Sequence, residues 1–156
     1  MSGSQRLLVR PLRHGEARTV MSVFRRLSDR SRRARFNGAK PCLRRAELRR
    51  LATVDADHRA LVAFVEGDPE PVAIARLVRD GDSAEVAFAV ADEYQGQGIG
   101  TALVSRLVTD ARVAGISELR ALVAGDNSAA VTLLRRVARR LQITYEGTEL
   151  SIRAAI

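Results

Sequence analysis

The sequence predicts a single α/β domain: a mixed, mostly antiparallel central sheet of about six to seven strands with about four helices packed on it. Three observations carry this expectation. The length, 156 residues with 46% apolar and 28% charged side chains, suits one globular core. The hydrophobic period changes along the chain, from helical spacing to strand-like runs and then to alternating helix and strand. No repeat, low-complexity tract or Pro/Gly-rich linker divides residues 1–156, so one domain is expected throughout.

The elements follow in order. Residues 6–10 read as a short first strand ending at Pro11. From Glu16 to Ser28, Val20, Val23, Phe24 and Leu27 recur at helical spacing, and a shorter second helix is expected around Leu43, Leu48 and Leu51. Residues 60–66, 71–79 and 84–90 then read as three strands, joined by turn chemistry at Gly67-Asp68-Pro69 and Asp80-Gly81-Asp82. Connections this short imply an antiparallel meander. A helix over 98–113 would bury Ile99, Leu103, Val104, Leu107, Val108 and Ala111, with Gly115 closing it. Residues 117–123 form the next strand. Asp126 or Asn127 then caps a helix expected to bury Val131, Leu134, Val137, Ala138 and Leu141, and strands near 141–146 and 149–154 complete the order.

Composition narrows the function classes. Charged residues interrupt every apolar run, and the N-terminal residues lack the apolar stretch of a signal peptide, so a cytoplasmic protein without membrane spans is expected. One cysteine, Cys42, cannot build an internal disulfide framework. His14 and His58 stand apart from any Cys or carboxylate at ligand spacing, so no metal is expected. The net charge is +8, carried almost wholly by arginine, with Lys40 the sole lysine. That charge raises nucleic-acid binding, but only six aromatic residues and no basic-aromatic interleaving argue against it.

The chemistry concentrates in the stretch from Val90 to Leu103, which runs from a strand into a helix N-terminus and holds Gly96, Gly98 and Gly100. Glycine admits close approach of backbone N–H groups, and a helix N-terminus adds free donors and a dipole that favours anions. Together they describe a pyrophosphate cradle. A nucleotide P-loop would need Gly-Lys-Ser/Thr, and the lysine is elsewhere; a dinucleotide fold would need G-x-G-x-x-G after a first strand, and here the spacing is G-x-G-x-G after a meander.

Gln95-Gly96-Gln97-Gly98-Ile99-Gly100 matches the signature Q/R-x-x-G-x-G/A, and with the element order around it the chain resembles the GNAT superfamily of N-acetyltransferases. The resemblance implies acetyl-CoA as co-substrate, its pyrophosphate bound by the backbone across Gln95, Gly96, Gln97, Gly98, Ile99, Gly100 and Thr101. It implies that the edge around Phe88, Ala89 and Val90 pairs with the pantetheine arm as an added strand. Asn127 either contacts that arm, caps its helix, or does both. A finer likeness, through Phe24–Ser28, Ser31, Arg35-Phe36, His58–Ala63 and Ala84–Phe88, is to the acetyltransferase domain of bacterial Pat-type protein lysine acetyltransferases. It implies that Glu85 is the general base and that the acceptor is a primary amine, with a lysine on an acidic protein surface as the leading case. Strand alternation sets Glu85 on one face with Ala87 and Ala89, small side chains that leave room for a substrate.

The pattern departs from the family in places. Where many members carry a Tyr seven residues after the Asn, as the acid for the leaving thiolate, this chain has Leu134; Tyr94 and Tyr145 are the alternatives. The usual Gly-Phe after the last helix is replaced by Arg139-Arg140-Leu141-Gln142, which raises a rearranged ending. Pat-type enzymes often carry a regulatory or synthetase-like domain, and none is read in this sequence. The ten arginines between Arg25 and Arg50 fall where the family's first helices flank the acceptor groove. A non-catalytic acyl-CoA sensor and a small-molecule amine acetyltransferase stay open as alternatives, as does assembly into a homodimer.

Overall fold

Seven strands form one sheet in the order β1-β2-β3-β4-β5-β7-β6. The computed structural model describes residues 5–156. The strands are β1 (Leu7–Pro11), β2 (His58–Val65), β3 (Ala73–Asp80), β4 (Ser83–Val90), β5 (Glu118–Ala124), β6 (Arg140–Glu146) and β7 (Glu149–Ala155). All neighbours are antiparallel except β4 and β5. The helices are α1 (Ala17–Arg25), α2 (Asp29–Phe36), α3 (Arg45–Leu51), α4 (Ile99–Val113) and α5 (Ser128–Val137). The mixed, mostly antiparallel α/β sheet expected from the sequence is therefore present, with five helices rather than four.

Burial along each strand reports what covers the sheet. In β2, Ala60, Leu61, Val62 and Ala63 are buried in succession, because helices lie on both faces there. On one face α4 and α5 close a large core with Leu61, Leu77, Val86, Leu119 and Ile152; on the other, α1 and α3 close a smaller one with Leu12, Ala60 and Val62. In β5 burial alternates strictly: Leu119, Ala121 and Val123 are buried while Arg120 and Leu122 are exposed. One face of the β5-β7-β6 arm is thus largely exposed.

Helix α4 buries the six side chains that its periodicity named, and Gly115, with φ +86°, follows its last turn. Helix α5 differs from expectation. It buries Ala130, Leu133, Leu134 and Val137, whereas Val131 is half-buried, Ala138 ends the helix in extended conformation and Leu141 already belongs to β6. The apolar period ran on past the helix because the following strand begins after only two intervening residues. The ending is not rearranged: β6 and β7 form the expected hairpin, with Glu146 opposite Glu149 across Gly147-Thr148.

The region 16–36 differs most. One helix was expected from Glu16 to Ser28, but the chain breaks after Arg25 and starts α2 at Asp29. Helix α2 buries no residue, so it has no apolar period to read. Local end signals build it instead. Ser28 caps it, accepting from the Ser31 N–H at 3.2 Å, Asp29 sits at the positive end and Arg33 and Arg35 at the negative end. Asn37 terminates it in left-handed conformation, φ 56°. A T-shaped contact between Phe36 and Phe24, ring centroids 5.9 Å apart, fastens it to α1.

Candidate active site

The functional geometry starts with a fork in the sheet. β4 and β5 run parallel and pair only over Ser83–Glu85 with Glu118–Arg120. Beyond Glu85 the strands separate, although β4 stays paired to β3 as far as Val90. Past the fork, one edge of β4 therefore has no strand partner. The gap is a cleft of about 570 Å³. Phe88, Ala89 and Val90 form one wall; Ala121, Leu122 and Val123 form the other.

The glycine loop lies at the open end of the cleft. A short 3-10 turn, Asp92–Tyr94, leads from β4 into it. Gly96 and Gly98 have φ of +76° and +83°, and no atom lies within 4 Å of where a Cβ would stand at either. Gly98 caps α4 without any side chain, so the cap residue makes no side-chain hydrogen bond to the helix end. The first intrahelical bond is Ala102 N–H to Gly98 O at 3.0 Å. The N–H groups of Ile99, Gly100 and Thr101 thus precede the ladder and remain available to an anion. Gly100 is a different case: a Cβ there would stand 3.1 Å from Leu133 Cδ1 and 3.4 Å from Val90 Cγ2. Its smallness lets α4 approach α5 and β4, so a bulky residue at this position would disturb packing as well as binding.

The remaining sequence-predicted residues are placed as follows. Gln95, Gly96, Gly98, Ile99, Gly100, Thr101 and Asn127 all line the cleft. Gln97 does not; its amide reaches Glu93 O at 3.5 Å. The Gln95 amide donates to Val90 O and to Ser31 Oγ, both at 2.9 Å, so that side chain braces the loop. Asn127 Oδ1 accepts from Ala130 N–H at 3.2 Å, and the same residue borders the cleft, which makes it both cap and wall. Glu85 stands exposed at the apex of the fork, at the last position where β4 and β5 pair, beside the cleft wall rather than within it.

Neither tyrosine offers a free hydroxyl to the cleft. The Tyr94 ring lines it, but its O–H donates to Asp68 Oδ2 at 2.7 Å, and that carboxylate pushes the phenol up from its ordinary pKa. Arg26 completes the knot, 2.8 Å from Asp68 and stacked over the Tyr94 ring, and holds the Asp68 carboxyl well below the usual range. Tyr145 is 79% exposed on β6. Leu134, at the position of the family's tyrosine, is fully buried in the core. The histidines serve the scaffold: His14 Nδ1 accepts from Val54 N–H at 3.0 Å, and His58 pairs with Asp55 at 2.8 Å.

Sequence reasoning missed the contribution of α2. The helix straps the fork. Ser28 bonds Asp92 through its N–H (2.9 Å) and its hydroxyl (2.7 Å), and at the far end Asn37 Nδ2 donates to Leu122 O of β5 at 2.9 Å. Arg30, Ser31, Ala34 and Arg35 thereby join the lining, as does Arg136 of α5. The readable signal was Ser28 followed by acidic Asp29, a helix start without an apolar stripe.

A cleft with an unpaired strand edge, opening onto a bare helix N-terminus, suits the long, phosphate-bearing donor of a group-transfer enzyme. The sequence model of the Acetyltransferase (GNAT) family matches residues 24–138, and the chain belongs to that family of acetyl-CoA-dependent N-acetyltransferases. It is 36% identical over 150 residues to the acetyltransferase Pat of Mycolicibacterium smegmatis, across 92% of this chain and 43% of that protein. The chain thus spans less than half the length of that relative. An acetyltransferase of Pseudomonas aeruginosa is 29% identical over 136 residues, covering 83% of this chain and 72% of that one. Among solved structures, the GNAT domain of S. lividans PAT superposes with a TM-score of 0.86 at 26% identity, covering 97% of each chain.

Proposed function

We propose that this domain acetylates the ε-amine of a lysine on a protein surface, with Glu85 taking the proton from the acceptor ammonium. The observation that carries the reading is the placement of Glu85. It stands at the apex of the fork, with the glycine cradle at the cleft's open end. Acetyl-CoA, when bound, supplies the acetyl thioester. The cleft fits it: the free edge of β4 suits the amide-bearing arm, and the open space before Gly96 and Gly98 suits the pyrophosphate.

An ammonium must lose its proton before nitrogen can attack, and an exposed carboxylate at the fork accepts it directly or through water. Ala87 and Ala89, on the same strand face as Glu85, are small side chains beneath α2. The bare face of β5 and β7 borders the approach with Arg120 and Arg153, which share Glu118 at 3.0 and 3.1 Å. With exposed Arg30 and Arg33 on α2, they give a positive rim that favours acidic protein surfaces over polycations. The likeness to Pat-type enzymes supports the same acceptor class, and a cytoplasmic location agrees with it.

Replacing Glu85 by Gln removes the base and keeps the shape. Acetyl-CoA affinity should hold in calorimetry, while thiol release with lysine peptides falls about 10²–10⁴-fold. The deficit should shrink at alkaline pH, where the amine is already neutral. Full activity of Glu85→Gln at neutral pH overturns the assignment.

A further inference from the structure

Four guanidinium groups pack beneath α1, α2 and α3, and one of them has no partner. Arg26 is fixed by Asp68 at 2.8 Å and Glu93 at 3.3 Å. Arg32 donates to Phe24 O at 3.3 Å and Pro41 O at 3.1 Å, and lies over the Phe24 ring at 4.0 Å. That makes Arg32 a structural residue and not a free groove charge. Arg76 of β3 donates to Leu51 O at 2.7 Å and Arg50 O at 2.9 Å, closing the end of α3. Arg35 does none of this. It leans on the Phe36 ring at 4.7 Å, and among the described residues no carboxylate comes within ion-pair distance of it.

Arg35 also sits where a substrate would meet it. It lines the main cleft and, on its other side, a small apolar cavity of about 30 Å³ shared with Arg76, Ala87 and Ala89. Ala87 faces Arg76 across β3 and β4, so both lie on the strand face of Glu85, under α2. Arg35 as a residue is half-buried, and it borders the cleft. Burial pushes its pKa down to about 10, the neighbouring Arg76 adds to the drop, and Glu85 opposes it. At neutral pH it is still a cation, desolvated and beside a second cation. Such a charge gains most from an anion that arrives with the ligand.

We infer that Arg35 is a specificity residue that pairs with a carboxylate of the acceptor next to the reactive amine, so that the preferred acceptor is a lysine with an acidic neighbour. The planar fork suits a carboxylate, taken through two N–H donors. The amine at Glu85 and the carboxylate at Arg35 then present opposite charges to a matched pair on the same face of β4. This inference rests on the proposed lysine acceptor.

The test uses the domain as it exists with paired acceptors: peptides with a central lysine flanked by Glu or by Gln, and Nα-acetyl-lysine or its amide. The wild type should favour the acidic member of each pair in kcat/KM, mainly through KM, by roughly tenfold to a hundredfold. Arg35→Gln should erase the preference, lowering kcat/KM for the Glu-flanked peptide far more than for the Gln-flanked one. Arg35→Lys, which keeps charge but not the fork, should retain part of it, and it serves if the Gln variant folds poorly. Turnover of peptides by the wild type without any preference overturns the role of Arg35 and leaves lysine acetylation standing. Preference confined to the small acceptors, with no peptide turned over, sinks the peptide acceptor and keeps Arg35. A uniform fall in kcat for both members of every pair in Arg35→Gln also overturns it, since that would mark action on the leaving group.

Discussion

The two sides of the cleft are built by different physics. On the donor side, α4 and α5 bury long apolar stripes against the sheet, and the glycine loop hangs from the first turn of α4. On the acceptor side, α2 buries nothing, and α1 and α3 close a much smaller cluster; side-chain bonds to backbone and ion pairs hold the helices in place. The donor side presents the same kind of surface for any thioester donor and can afford rigidity. The acceptor side carries the unpaired charge and the exposed carboxylate, set on elements held by a few polar contacts. Specificity is thus placed on the less stable half, where segments open more readily.

Truncating the two halves should expose that difference. Leu103→Ala removes a fully buried side chain from the middle of α4, and a loss of about 2–5 kcal/mol is expected in chemical denaturation. A loss below about 1 kcal/mol would mean that the donor-side core is not what holds the domain together.

A smaller and more local effect is expected at the loop. Gly98→Val forces a β-branched residue to φ +83° with free space before it, so strain of about 1–3 kcal/mol falls on the loop rather than on the core. Acetyl-CoA affinity measured by calorimetry should drop at least tenfold while circular dichroism stays native; unchanged affinity removes the pyrophosphate cradle.

The smallest change should come from Ser28→Ala, which deletes the α2 cap and the hydroxyl half of its tie to Asp92. About 1 kcal/mol of stability should go. Hydrogen exchange should quicken in α2 and leave α4 protected. Equal quickening in both helices would show that the halves open together and erase the contrast.

Legibility followed the same division. The α4 face could be written from spacing, because Ile99, Leu103, Val104, Leu107, Val108 and Ala111 are buried by one continuous sheet face. The loop could be written from its glycines, because positive φ and an uncapped helix end need that residue type. Helix α2 could not, since eight residues with no buried side chain leave no period, only a cap. The fates of Tyr94 and Arg32 were equally unreadable. Each is consumed by partners far along the chain, Asp68 in one case and the carbonyls of Phe24 and Pro41 in the other.

By itself the sequence determined the element order apart from α2, the donor-side core and the anion-binding loop, all of which depend on residue type and period within one segment. Only the tertiary structure decided where β4 and β5 part, how α2 spans that fork, and that Arg35, unlike Arg26, Arg32 and Arg76, packs beside the cleft without a hydrogen-bond or ion-pair partner. Those are outcomes of packing between distant segments. Whether a charge is spent or free depends on what folding brings beside it, and no local pattern encodes that.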